Sequence, residues 1–499
     1  MSTFWIKAIQ LILSLSFLVV IHELGHFTWA RIFKVRVEKF YVFFNPSISL
    51  IRWKKINGRL QFRFFAPNTP EAMKEKLDAN GKQEFDKKGK PVYVPMTQED
   101  LDKLPDDDWR KYPETTEWGI GWLPFGGYCR IAGMVDETTS SDQLASQPQP
   151  WEYRTQSAWK RMLIISGGVM VNFIAALFIY AGILHHWGDY QLPISKAPYG
   201  LYYSESMHNL GFENGDKILS LNDNNVENYE LGDLLYDILL NGEQQAQVLR
   251  GTETLTVVIP KDYSKTFMSH QEEGTPVQYA MPFIIDSVIP EGPAYKAGLM
   301  SSDQIIAINN HATPYTADVR KQLSLYSCDS ISITYLRDKE QYTTMAYVGD
   351  QGLLSVNYKN LVEPEKIEYG FWESIPAGIS LGWKTLVNYV RQFKLVFTKE
   401  GAESLGGFGA IGSLFPDAWN WHAFWTMTAF LSIILAFMNF LPIPGLDGGY
   451  FIFLIFEVIT GRKPSDKFME WTTNIGFILL LLLLIYANGN DLFKWIKGI

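Results

Sequence analysis

His22, Glu23 and His26 stand in the order H-E-x-x-H. On an α-helix, residues four apart share a face, so both imidazoles reach one Zn²⁺ while the carboxylate beside the first faces a water at the metal. The motif falls near the end of an apolar run, where ionisable groups are costly unless they are paired, metal-bound or facing water. Two histidines and a water leave a catalytic zinc one protein ligand short. Asp447 is the outstanding candidate, in Asn439-Phe440-Leu441-Pro442-Ile443-Pro444-Gly445-Leu446-Asp447-Gly448-Gly449. Prolines and glycines break a helix there and let a short side chain reach a metal. The competing reading is an Asp that caps a restarting helix.

The elements that must carry these residues are long and apolar. Stretches at about 4–30, 162–186, 423–445 and 471–488 are each long enough to cross a hydrocarbon core of roughly 30 Å, which takes about 20 helical residues. With 499 residues, 47% hydrophobic and 15% aromatic, the chain is too long for one domain and more apolar than an average soluble protein. Residues 1–31 lack a clean cleavage site and read as a retained helix rather than a signal peptide. Lys160 and Arg161 precede the second stretch, and Arg462, Lys463 and Lys467 lie between the third and fourth. Those basic ends mark the cytoplasmic side, which leaves both termini and residues 188–422 outside the cytoplasm.

Two polar regions separate the stretches. In the first, at 34–160, Asn57-Gly58 followed by strictly alternating Arg59 to Phe64 predicts a β-hairpin over about 43–65. Residues 66–117 are polar and proline-interrupted and read as an irregular or partly disordered insert. The second region holds a repeat: Gly211-Phe212 and Asp216 to Asn222 match Gly298-Leu299 and Asp303 to Asn309, with 298 − 211, 303 − 216 and 309 − 222 all equal to 87. Two tandem α+β domains are expected. Residues 371–398 predict an amphipathic helix that either lies along a membrane surface or packs on those domains.

The net charge of -9, with no dense Lys/Arg run, excludes nucleic acid as the partner. Cys129 and Cys328 fall on opposite sides of the expected membrane, so neither a disulfide between them nor a cysteine metal cluster is expected.

Together, HELGH in the first apolar stretch and NFLPIPGLDGG in a late one resemble the site-2 protease family of zinc metalloproteases. The tandem repeat is similar to the paired PDZ domains of its RseP-type bacterial members. Pro124-Phe125-Gly126-Gly127-Tyr128 resembles the family's P-x-G-G-Y element, and Gly167 to Asn172 its G-P-x-x-N element, with Val169 where the family usually has Pro.

The resemblance implies a multi-pass α-helical membrane protein with about four transmembrane helices, a membrane-associated β-hairpin and two α+β PDZ-like domains. The implied segments are 1–33, 161–187, 423–450 and 470–488 for the transmembrane helices, 195–275 and 280–360 for the PDZ-like domains, and 368–400 for the amphipathic helix. His22, His26 and Asp447 would be zinc ligands, Glu23 the general base and acid, and Asn172 and Asn439 the groups that hold substrate backbone. The expected activity is intramembrane peptide hydrolysis in a bacterial inner membrane. Its substrates would be single-span, pre-trimmed membrane proteins such as anti-sigma factors or remnant signal peptides, with the PDZ-like pair outside as a size filter or recruiter. The alternative is a membrane-anchored PDZ scaffold whose zinc site is vestigial or structural.

Overall fold

Apolar runs free of internal breakers fold into long helices. In the computed structural model, which describes residues 3–69, 72–75, 83–84, 93–134, 148–269, 275–349, 353–398, 401 and 405–497, α1 spans Thr3–Ile32 and α2 spans Ala158–Trp187. Among the described residues, four helices are long and apolar enough to cross a membrane: α1, α2, a third at Trp421–Phe440 and a fourth containing Trp471–Ile496. The chain divides into two units. The first holds 1–187, 369–394 and 401–499, and the second holds 188–368 and 395–400.

In the first unit, Asn57 and Gly58 take positive φ (50° and 79°), as a two-residue hairpin turn requires. They join β2 (Ile48–Ile56) to β3 (Arg59–Pro67), with Ile56 opposite Arg59. This hairpin is one edge of a larger sheet. With β1 (Val37–Phe44), β4 (Glu117–Ile120) and β5 (Leu123–Ile131), the strand order is β3-β2-β4-β1-β5. The alternation in β3 leaves Leu60, Phe62 and Phe64 exposed on one face.

The expected irregular insert is corrected in its described parts, residues 70–71, 76–82 and 85–92 lying outside them. Strands 73–75 and 93–95 pair, a capped helix covers Gln98–Asp102, and β4 itself begins at Glu117. Trp109 explains the order: it is fully buried, between Arg52 and Arg63 on its ring faces, with its indole N–H donated to Gln61. A single aromatic anchored by cations organises a segment whose average composition is polar.

In the second unit the 87-residue offset recurs in three dimensions. β7 (Lys217–Leu221) corresponds to β12 (Gln304–Ile308), once β6 (Leu201–Tyr203), β8 (Gln244–Arg250), β9 (Glu253–Ile259), β10 (Val277–Tyr279) and β11 (Phe283–Val288) are numbered between them. Asn222 and Asn309 end these strands at positive φ (52° and 46°) and accept the backbone N–H of Gln245 and Ser332. Each copy has its own apolar core, one around Phe212, Leu234 and Val248 and the other around Ile285, Ile305 and Ile333.

Residues 371–393 of the expected amphipathic stretch form one helix within the first unit. The helix Phe371–Phe393 runs antiparallel along α2: Phe371 meets His185, Gly378 packs on Ala181 and Gly382 on Leu177. Further along, Tyr389 and Phe393 meet the ring of Phe437 of the third apolar helix edge to face. Glycines four apart let the two backbones approach, as small-xxx-small pairs do in lipid.

Candidate active site

The first histidine pair is set by helix geometry alone. His22 and His26 lie one turn apart on α1, with their Nε2 atoms 3.1 Å from each other. Asp447 arrives from the far end of the chain. The helix at Trp421–Phe440 stops before Pro442 and Pro444, Gly445 turns at φ 98°, and a new helix begins with Asp447 at Asp447–Thr460. Only glycine fits behind it, because a Cβ at Gly448 would stand 2.2 Å from the Leu441 carbonyl oxygen and one at Gly449 2.5 Å from that of Ile443. This turn puts Asp447 Oδ2 3.1 Å from His22 Nε2 and 3.6 Å from His26 Nε2. Asp447 is the first residue of the new helix, whose N-cap is Leu446 with no side-chain cap bond, so its carboxylate faces the histidines instead of capping.

Three electron-pair donors face one another here. His26 Nδ1 lies 2.8 Å from the Ile164 carbonyl, which only accepts, so Nδ1 carries the proton and Nε2 is bare. Asp447 Oδ2 is buried and, among the described residues, accepts no hydrogen bond. A buried carboxylate oxygen beside a bare imidazole nitrogen is repulsive unless a cation joins them. Ligands about 2.0–2.1 Å from a tetrahedral Zn²⁺ stand roughly 3.3 Å apart. The observed separations of 3.1, 3.1 and 3.6 Å bracket that value. Three protein donors also leave one coordination position for water or substrate, the mark of a catalytic rather than a structural zinc site.

Glu23 is half-buried next to His22. Asn172, on α2, is 1% exposed, with its amide nitrogen 3.4 Å from His22 Nδ1 and its backbone carbonyl accepting a 2.7 Å bond from Ser432. Asn439 is half-buried in the last turn of its helix and, among the described residues, makes no hydrogen bond to the trio.

Residue types alone did not single out the glycines that let α1 and α2 touch. A Cβ at Gly25 would stand 2.2 Å from the Gly167 carbonyl oxygen, and one at Gly168 2.5 Å from His22 Cε1 and 2.6 Å from His26 Nε2. The adjacent glycines inside an apolar stretch were the available signal. Arg161 and Glu457 form a mostly buried ion pair between α2 and the helix that Asp447 opens. A cation and an anion so far apart in sequence give no such signal.

The chain matches peptidase family M50 over residues 10–67 and 109–483. It belongs to that family. It is 24% identical over 493 residues to a Rickettsia conorii protein assigned as a zinc metalloprotease, covering 98% of each chain. It is 23% identical over 507 residues to the regulator of sigma E protease of Haemophilus influenzae, covering 97% of this chain and 98% of that one. A Treponema pallidum protein, also assigned as a zinc metalloprotease, is 25% identical over 412 residues, 77% of this chain and 89% of its own. The chain is therefore a zinc-dependent protease. A two-histidine, one-carboxylate set also suits iron, and the family decides for zinc.

Proposed function

We propose that this M50 protease is an intramembrane endopeptidase, with zinc held by His22, His26 and Asp447 inside a bundle of membrane-spanning helices. The observation that carries the reading is where the trio sits: on α1 and at the turn after Trp421–Phe440, two of the four helices apolar and long enough to span. The apolar helix containing Trp471–Ile496 supports the membrane setting, since Phe477, Leu479, Leu482 and Ile485 are all more than half exposed. The basic flanks described above favour an orientation with residues 188–368 on the outer side of a bacterial inner membrane, and the repeat favours a PDZ-like pair there.

Zinc, when bound, polarises the scissile carbonyl and makes water acidic enough to lose a proton near neutral pH. Glu23 takes that proton and delivers it to the leaving nitrogen. A substrate helix hides its carbonyls in internal hydrogen bonds and must be unwound first. The free edge of β3 offers a template for the extended segment, and its exposed Leu60, Phe62 and Phe64 suit a membrane surface. Asn439, in the last turn of the helix that precedes Asp447, would hold freed substrate amides. The Haemophilus relative is named for the regulation of sigma E, and with that likeness the proposed substrates are membrane-anchored regulators of a sigma factor, with trimmed single-span remnants as the broader class.

The test is cleavage of a single-span substrate by purified protein, alongside its zinc content. Glu23→Gln is expected to keep one zinc per chain and lose about 10²- to 10⁴-fold in rate, because only proton transfer is removed. Full activity in that variant would reject the assignment.

A further inference from the structure

We infer that Asn172 is a positioning residue for His22: its Oδ1 accepts a hydrogen bond from His22 Nδ1–H, so that the Nε2 lone pair is presented to the metal position. This rests on His22, His26 and Asp447 being the zinc ligands, and it replaces the expected role of Asn172 as a substrate contact.

His26 has its ring already fixed in this way. Its Nδ1–H donates to the Ile164 carbonyl at 2.8 Å, which bares Nε2. His22 needs the same arrangement, because a neutral imidazole with a metal on Nε2 carries its proton on Nδ1 and must place it on an acceptor. The side chain standing there is Asn172, at 3.4 Å. An amide N–H facing a ring N–H would be two donors in opposition. An Asn amide turned end for end offers its oxygen from the same place, and Asn172 Oδ1 as placed is buried with no partner among the described residues.

One face of α2 then supplies the whole outer layer of the two histidines. Ile164, Gly168 and Asn172 are spaced i, i+4, i+8. Ile164 receives the proton of His26, Gly168 clears both rings, and Asn172 receives the proton of His22. Ser432 fixes this turn of α2 from the neighbouring helix by its bond to the Asn172 carbonyl. Gly168 and Asn172 are two of the residues quoted above as G-P-x-x-N-like, and this geometry gives that spacing a physical reason.

Zinc affinity of the full chain, measured by chelator competition, separates this role from substrate contact. Outer-layer partners of metal-bound histidines are typically worth 10- to 100-fold in affinity, so Asn172→Leu is expected to weaken zinc binding by about that factor and to alter the visible spectrum of the Co²⁺-substituted protein. Asn172→Asp keeps the acceptor and loses the donor, and is expected to restore zinc affinity to within about threefold of the parent. Parental zinc affinity and an unchanged Co²⁺ spectrum in Asn172→Leu, with only KM raised, would overturn the proposal. Weak zinc binding by Asn172→Asp would overturn it too, even if the Leu variant failed to fold. Neither result would touch the protease reading, which fails instead if the parent protein binds no zinc or cleaves nothing.

Discussion

In the second unit, Asp216 and Asp303 are each buried against an arginine 34 residues further on, Arg250 and Arg337, through paired hydrogen bonds of 2.7–2.9 Å. In the first unit, Asp447 faces two imidazoles, and among the described residues no lysine or arginine pairs with it. Asp216 and Asp303 also accept the backbone N–H of Glu213 and Met300, so their oxygens are saturated by donors of the same small domain. Asp447 has an oxygen that no donor among the described residues saturates. A buried carboxylate whose partners all bring protons closes a loop, while one whose neighbours bring lone pairs is arranged for a cation.

Removing charge from each kind of aspartate is the most direct way to break this contrast. Asp447→Asn keeps the volume but removes the anionic donor, and is expected to reduce zinc below one per chain and abolish detectable cleavage; stoichiometric zinc in that variant would require another third ligand. Gly168→Ala should have a smaller but still large effect on the same readouts, since a Cβ 2.5 Å from His22 Cε1 and 2.6 Å from His26 Nε2 has to push the rings apart. Its zinc affinity by chelator competition should fall while the repeat domains stay folded. Asp303→Asn is the mildest and acts elsewhere. It should destabilise its own domain by about 2–3 kcal/mol, the scale of hydrogen bonds to a charged group, with zinc content unchanged. Denaturant unfolding reads that loss, and a fall in bound zinc would mean that the two kinds of aspartate are not separable.

The equivalence of the two repeats extends beyond what their aligned residues reveal. The arginines that neutralise Asp216 and Asp303 obey the same offset, since 337 − 250 = 87, yet a lone arginine at the end of a strand has no feature to mark it as a partner. The insert was harder still. Window-averaged polarity hid Trp109, whose burial depends on Arg52, Arg63 and Gln61 from other strands. The helix at 371–393 carries Glu373, Lys384 and Arg391, so composition suggested a surface, whereas Gly378 and Gly382 seat it along α2.

What the sequence by itself determined is what depends on short-range periodicity. The i, i+4 spacing of His22 and His26, the unbroken apolar runs of the four long helices, the Asn57-Gly58 hairpin and the 87-residue repeat each follow from residues that are close together or compared in register. The sequence also singled out Asp447 by its unusual setting. Tertiary structure alone decided that Asp447 stands within 3.6 Å of both histidines, that Ile164 takes the proton of His26, and that Asn172 faces His22. The reason is that a helix's period is written in its own residues, whereas the approach of two helices is set by close packing of small residues such as Gly25 on Gly167, whose partners no local pattern identifies.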